Sequence, residues 1–144
     1  MIWMGIDPGL SGGIAIIPQD LDALAWKMPS TERDTADLLL SISKMGVHLC
    51  FIESVHSLPR QGVASTFKFG RSYGFLRGLL TAFHIPFDEV SPLKWQRALG
   101  CLSQGNKNVT KAKAQQLFPQ LAITHAIADA LLIAEYCRRS YRGD

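Results

Sequence analysis

The chain opens on an apolar run that ends on one acid, Met1-Ile2-Trp3-Met4-Gly5-Ile6-Asp7. A turn rich in Gly and Pro follows, and the apolar run Ile14-Ala15-Ile16-Ile17 comes next. This pattern predicts a β-hairpin with a carboxylate at the end of its first, buried strand. An ionised carboxylate there is costly unless something pairs with it. The local alternative is that Asp7 caps its own Asp-Pro-Gly turn. Leu21 to Met28 predicts a third strand, broken by Pro29-Ser30-Thr31. Asp34 to Lys44 predicts a short amphipathic helix with Leu38, Leu39 and Ile42 on one side, Thr31 or Asp34 as its cap and Gly46 as its stop. Val47 to Glu53 repeats the layout of the first strand, an apolar run closed by one acid. A strand reached through a helical crossover is expected to run parallel to its partner. Beside the first strand, it brings Asp7 and Glu53 to the carboxyl edge of the sheet, where α/β sheets place ligand sites.

The second half is mostly helical. After a loop over Ser54 to Ala64, a helix is predicted from Ser65 to Phe83, with Gly70, Gly74 and Gly78 at four-residue spacing. Each glycine costs about 1 kcal/mol relative to alanine in a helix. Close packing of that face on the sheet is the expected reason, ahead of a subunit contact. Ile85 to Val90 reads as the last strand. Ser91-Pro92 starts a helix that carries Lys94, Trp95 and Arg97. Ser103 to Val109 reads as a polar loop, and Thr110 as the cap of a helix to Leu117 with Lys111 and Lys113 near its start. Cations there oppose the helix dipole; they suit a phosphate bound at the helix start, or are simply solvated. The final helix, Thr124 to Arg138, puts His125 and Asp129 on one face amid an almost continuous apolar set. A buried Asp in such a helix needs a partner.

Composition narrows the chemistry. With 144 residues, 47% of them hydrophobic, one globular domain over 1–144 is expected. The formal charge is only +3, yet residues 1–59 hold just Lys27, Arg33 and Lys44, and the other twelve basic residues follow from Arg60 onward. That distribution is compatible with nucleic-acid binding. Cys50, Cys101 and Cys137 form no Cys-x-x-Cys, which argues against a structural zinc site and for reducing surroundings. No signal or transit-like leader is evident, and no apolar run approaches the roughly 20 residues of a membrane helix; a cytoplasmic setting and a bacterial or phage source are the expectation. An oxygen-rich set of Asp7, Glu53 and Asp129, with His125 beside it, suits Mg²⁺, with Mn²⁺ tolerated. Two such ions about 4 Å apart can activate water and stabilise the leaving oxygen of a phosphodiester. Asp7, the most central acid, is expected to bridge them.

The order of elements and the placement of the acids resemble the ribonuclease H-like superfamily and, within it, RuvC-type Holliday-junction resolvases. Gly5-Ile6-Asp7-Pro8-Gly9 is similar to that family's opening motif, Phe51-Ile52-Glu53 to its second acid, and His125-Ala126-Ile127-Ala128-Asp129-Ala130 to its acidic last helix. The His-x-x-x-Asp spacing resembles the plastid-type branch; many bacterial members instead carry two acids three apart. The resemblance spans nearly the whole chain. It implies an α/β, ribonuclease H-like fold: a five-stranded mixed sheet flanked by helices. It further implies a homodimer joined through the glycine-containing helix, each protomer cutting one of two symmetry-related strands of a four-way junction. Asp7, Glu53, His125 and Asp129 would hold two Mg²⁺, Lys111 or Lys113 would stabilise charge in the transition state, and Lys107, Lys111, Lys113, Arg60, Phe67, Lys68 and Lys94 would contact DNA. Bacterial members place an aromatic wedge where this chain has His56, so Phe67 or Phe69 is the candidate substitute, unless both are core residues, the better reading for Phe69. A nuclease acting on RNA or RNA–DNA hybrid, and a junction-binding protein without catalysis, are the competing readings. Actin-like ATPases begin with a similar strand but need two such domains.

Overall fold

The computed structural model describes residues 1–54 and 62–142. A five-stranded sheet in the order β3-β2-β1-β4-β5 forms its centre. The strands are β1 (Ile2–Asp7), β2 (Gly13–Pro18), β3 (Leu24–Lys27), β4 (Leu49–Glu53) and β5 (Phe87–Val90). β1, β2 and β3 form an antiparallel meander, whereas β4 is parallel to β1 and β5 to β4. The mixed sheet expected from the sequence is therefore present. β3 is shorter than the apolar pattern suggested, because Leu21 is exposed and lies in the turn before it.

Among the described residues, five helices flank the sheet: α1 (Glu32–Ser43), α2 (Val63–Ala82), α3 (Pro92–Ala98), α4 (Lys107–Leu117) and α5 (His125–Arg142). Their starts follow local chemistry. Thr31 caps α1 by accepting from the Asp34 amide at 3.0 Å, and Ser91 caps α3 with Pro92 in the first turn. Asn106, not Thr110, caps α4, accepting from the Asn108 amide at 3.0 Å. The helix therefore begins one turn earlier than predicted, and Lys107 rather than Lys111 stands at its first position.

Alternation along the strands divides the core between the two faces. Met4, Ile6, Ile14, Ile16, Cys50 and Ile52 meet Leu39 and Ile42 of α1 and Leu76 and Leu80 of α2. On the other face, Ala15, Ile17 and Val90 meet α3, α4 and an almost wholly apolar stretch of α5. α5 approaches the sheet closely enough that a Cβ on Gly5 would collide with the backbone of Ala130 and Ala134, and one on Gly13 with the carbonyl of Ala126. These two glycines let the helix rest directly on strand backbone.

α2 behaves differently. Among the described residues, no atom lies near the position of a Cβ added at Gly70, Gly74 or Gly78. The expectation that this face packs on the sheet is therefore overturned. Only Leu76 and Leu80 of α2 are buried, while Val63 and Phe67 are 89% and 66% exposed. Among the described residues no helix is long and apolar enough to cross a membrane.

Candidate metal centre

The three acids that stood out in sequence converge at one edge of the sheet. In the parallel register of β1 and β4, Ile6 lies opposite Ile52, so Asp7 and Glu53 leave their strands side by side. Asp7 shares the sheet face of Gly5, two residues before it, and that face carries α5. The helix runs against β1: Ala126 lies over Gly13, which pairs with Asp7, and Ala130 and Ala134 lie over Gly5. His125 and Asp129, in the first turns of α5, are thereby brought over Asp7.

These side chains line one cavity of about 870 Å³, together with Lys107, Thr110 and Lys68. Burial raises the Asp7 carboxyl from 3.8 to about 8, reinforced by Glu53 and Asp129 and opposed by Lys107. Burial likewise raises Glu53 from 4.5 to about 7; the Trp95 indole opposes this, and Asp129 adds to it. Asp129 is raised by burial, with Thr110, Lys107 and His125 acting against it. The three carboxyls thus crowd one another in a partly dry place. Two neighbours help to hold them: the Trp95 Nε1–H donates to Glu53 Oε2 at 2.7 Å, and the Thr110 hydroxyl lies within hydrogen-bonding reach of Asp129.

By chemistry and charge, the donor set suits a hard divalent cation. Three carboxylates and an imidazole are oxygen-rich with one nitrogen, and a cation among them would offset the mutual repulsion that burial magnifies. As the side chains stand, no three His, Cys, Asp or Glu groups among the described residues close tightly enough to hold one ion. The four groups surround the cavity rather than meeting at a point.

The structure sorts the predicted cations. Lys107 and Lys68 reach the cavity wall; Lys111 and Lys113 do not line it, and Lys113 instead acts on the Cys101 thiol. Lys94 is exposed on α3. Phe67 is exposed, with the Arg71 guanidinium 5.8 Å from its ring centroid. Phe69, expected in the core, is 46% exposed and lines the cavity. Arg60 and His56 lie outside the described residues.

Sequence reasoning missed Trp95, Thr110 and Gln96 as supports of this site. Gln96 Oε1 accepts from the Ser103 amide at 3.0 Å and from its hydroxyl at 3.1 Å, which fixes the loop leading to Lys107. The signal available for Trp95 was general: a buried indole N–H needs an acceptor.

No protein-family profile matches the sequence, and no characterised protein matches it by sequence. Among solved structures, the chain is similar to T. thermophilus RuvC in complex with a Holliday junction substrate, with a TM-score of 0.73 at 17% identity over 99% of this chain and 96% of that one. It is also similar to Thermus thermophilus RuvC, with a TM-score of 0.64 at 16% identity over 99% of this chain and 97% of that one. The fowlpox virus Holliday junction resolvase gives a TM-score of 0.51 at 13% identity over 99% of both chains. At these identities the likeness establishes the fold, which is ribonuclease H-like.

Proposed function

We propose that this chain, as a single nuclease domain over 1–144, is a structure-selective endonuclease. It resolves four-way DNA junctions by paired, metal-dependent hydrolysis on two symmetry-related strands. The observation that carries this reading is the convergence of Asp7, Glu53, His125 and Asp129 on one cavity with Lys107 beside them. The fold shared with junction-resolving enzymes supports the substrate, and T. thermophilus RuvC has been seen with a Holliday junction substrate.

Asp7, Glu53, His125 and Asp129 would hold two Mg²⁺, with Mn²⁺ accepted in their place. Bound divalent cations supply a lowered water pKa and charge neutralisation at the leaving oxygen. The chain's own groups do the rest. The carboxylates would hold those cations at the sheet edge, where bare carboxylates would repel a phosphate. Lys107, whose charge already reaches Asp7 and Asp129, opposes the negative charge that develops in the transition state. It takes the place first assigned to Lys111 or Lys113. Those two, with Lys68, Lys94 and Arg60, contact phosphates of the junction arms, and Phe67 stacks against an unpaired base, a contact that contributes about 1–3 kcal/mol per base.

The enzyme acts as a homodimer through α2. Its open glycine row leaves room for a partner's backbone to approach. Two-fold symmetry in the protein then matches that of the junction.

The test is cleavage of a synthetic four-way junction in Mg²⁺ and in Mn²⁺ by the wild type and by Asp7→Asn. Paired symmetric nicks that vanish in the variant, with linear duplex left intact, support the reading. A junction bound but uncut makes the protein a binding module. Cutting of RNA–DNA hybrid instead replaces the substrate.

A further inference from the structure

Trp95 sits in the short helix α3, fully buried, with Leu99 and Val90 in the same core cluster. An indole in a core has a single polar atom, and any backbone carbonyl would satisfy it. Here the acceptor is a carboxylate at the functional edge: Nε1–H donates to Glu53 Oε2 at 2.7 Å, a length typical of charge-assisted bonds. The two residues are 42 apart in sequence, on different elements. α3 is itself anchored at both ends. Ser91 caps its start, and Gln96 ties its last turn to Ser103. The donor is thus presented from a fixed frame, whereas Glu53 is the last residue of β4 and its side chain has three rotatable bonds.

We infer that Trp95 is a positioning residue for Glu53: by engaging Oε2 it fixes the carboxylate's rotamer and leaves Oε1 as the oxygen offered to a divalent cation in the cavity. The inference rests on the cation-dependent reading above. It explains why a large aromatic with a donor occupies this place, where Phe or Leu would fill the core equally well. Partners that orient metal ligands from outside the ligand set typically change metal affinity or activity by about 10–100-fold when removed.

The experiment measures Mn²⁺ affinity by calorimetry in the absence of DNA. It compares the wild type, Trp95→Phe, Glu53→Gln and the double variant. An affinity about 10–100-fold weaker in Trp95→Phe, with no further loss when that change is added to Glu53→Gln, supports positioning through Glu53. Unchanged affinity in Trp95→Phe, or an equal loss in the Glu53→Gln background, overturns it. Should Trp95→Phe fail to fold, 3-benzothienylalanine at position 95 keeps the shape, removes only the N–H, and decides by the same two outcomes.

A spectroscopic arm does not depend on activity. The chain has three tryptophans, so three indole ¹⁵N–¹H cross-peaks are expected. The one lost in Trp95→Phe should move on Mg²⁺ addition and in Glu53→Gln; if it is indifferent to both, the inference fails. Wild type that binds the cation as expected but leaves junctions uncut defeats the substrate reading and leaves the positioning role standing. Wild type that binds neither Mg²⁺ nor Mn²⁺ defeats both.

Discussion

Asp7 holds its proton more tightly in the folded chain than in the unfolded one, because its carboxyl moves from 3.8 to about 8 on burial beside Glu53 and Asp129. The sign of the linkage follows. For an acid whose folded value is raised, the stabilising contribution is complete below the unfolded value and is lost as pH rises through the folded one. In chelator, the melting temperature should therefore fall between about pH 4 and about pH 8. Asp7→Asn should flatten that fall, so that it is more stable than wild type near neutrality although it is inactive; thermal melts across pH check this. A wild type whose stability is flat over the range would show that Asp7 is not crowded. Lys107 gives a second residue-scale prediction. Lys107→Ala should lower kcat on junctions about 10²–10³-fold, the usual loss when a group stabilising developing charge is removed. Lys111→Ala and Lys113→Ala should chiefly weaken binding. Single-turnover rates at saturating enzyme separate the two effects. The acids were legible in sequence because each interrupts an apolar context, where a charge needs a reason. Trp95 was not, since its partner is set by the pairing of β4 with β5 and the placing of α3 just after it, which no local pattern encodes.

At the scale of elements, the strands were readable from alternation, and the parallel placement of β4 from the crossover before it. The start of α4 was misread because Asn106 and Thr110 are both good capping residues. The competition is resolved by tertiary demand, since Thr110 is buried beside Asp129 and serves the site. That four-residue shift takes Lys107 out of the polar loop read from the sequence and puts it at the first position of α4. The glycines were misjudged in a related way. Gly5 and Gly13, inside strands, and Gly12 just before β2 are at close approaches, whereas the helical Gly70, Gly74 and Gly78 meet nothing among the described residues. The contrast can be measured by urea unfolding. Gly5→Ala should destabilise by about 1–3 kcal/mol or more, because backbone must shift to admit a methyl group. Gly78→Ala should stabilise the isolated protomer by about 0.4–1 kcal/mol through the unfolded chain.

For the whole molecule, the two faces of the sheet divide the work. One face carries α3, α4 and α5 and with them Trp95, Lys107 and Asp129; the other carries α1 and the sparsely covered α2. If α2 joins two copies, Gly74→Glu should shift sedimentation toward the monomer without altering the far-ultraviolet dichroism. Junction cutting by this variant should lose its pairing, giving single nicks in place of simultaneous ones. An unchanged sedimentation profile would remove α2 from the interface. At Gly5 and Gly13, meanwhile, a helix rests on a strand with no side chain between them. The gap separating Asp7 from Asp129 is therefore gauged by main chain, whose bond lengths and angles hardly vary, rather than by rotamers that can slip. The molecule in effect carries a built-in calliper at its functional edge.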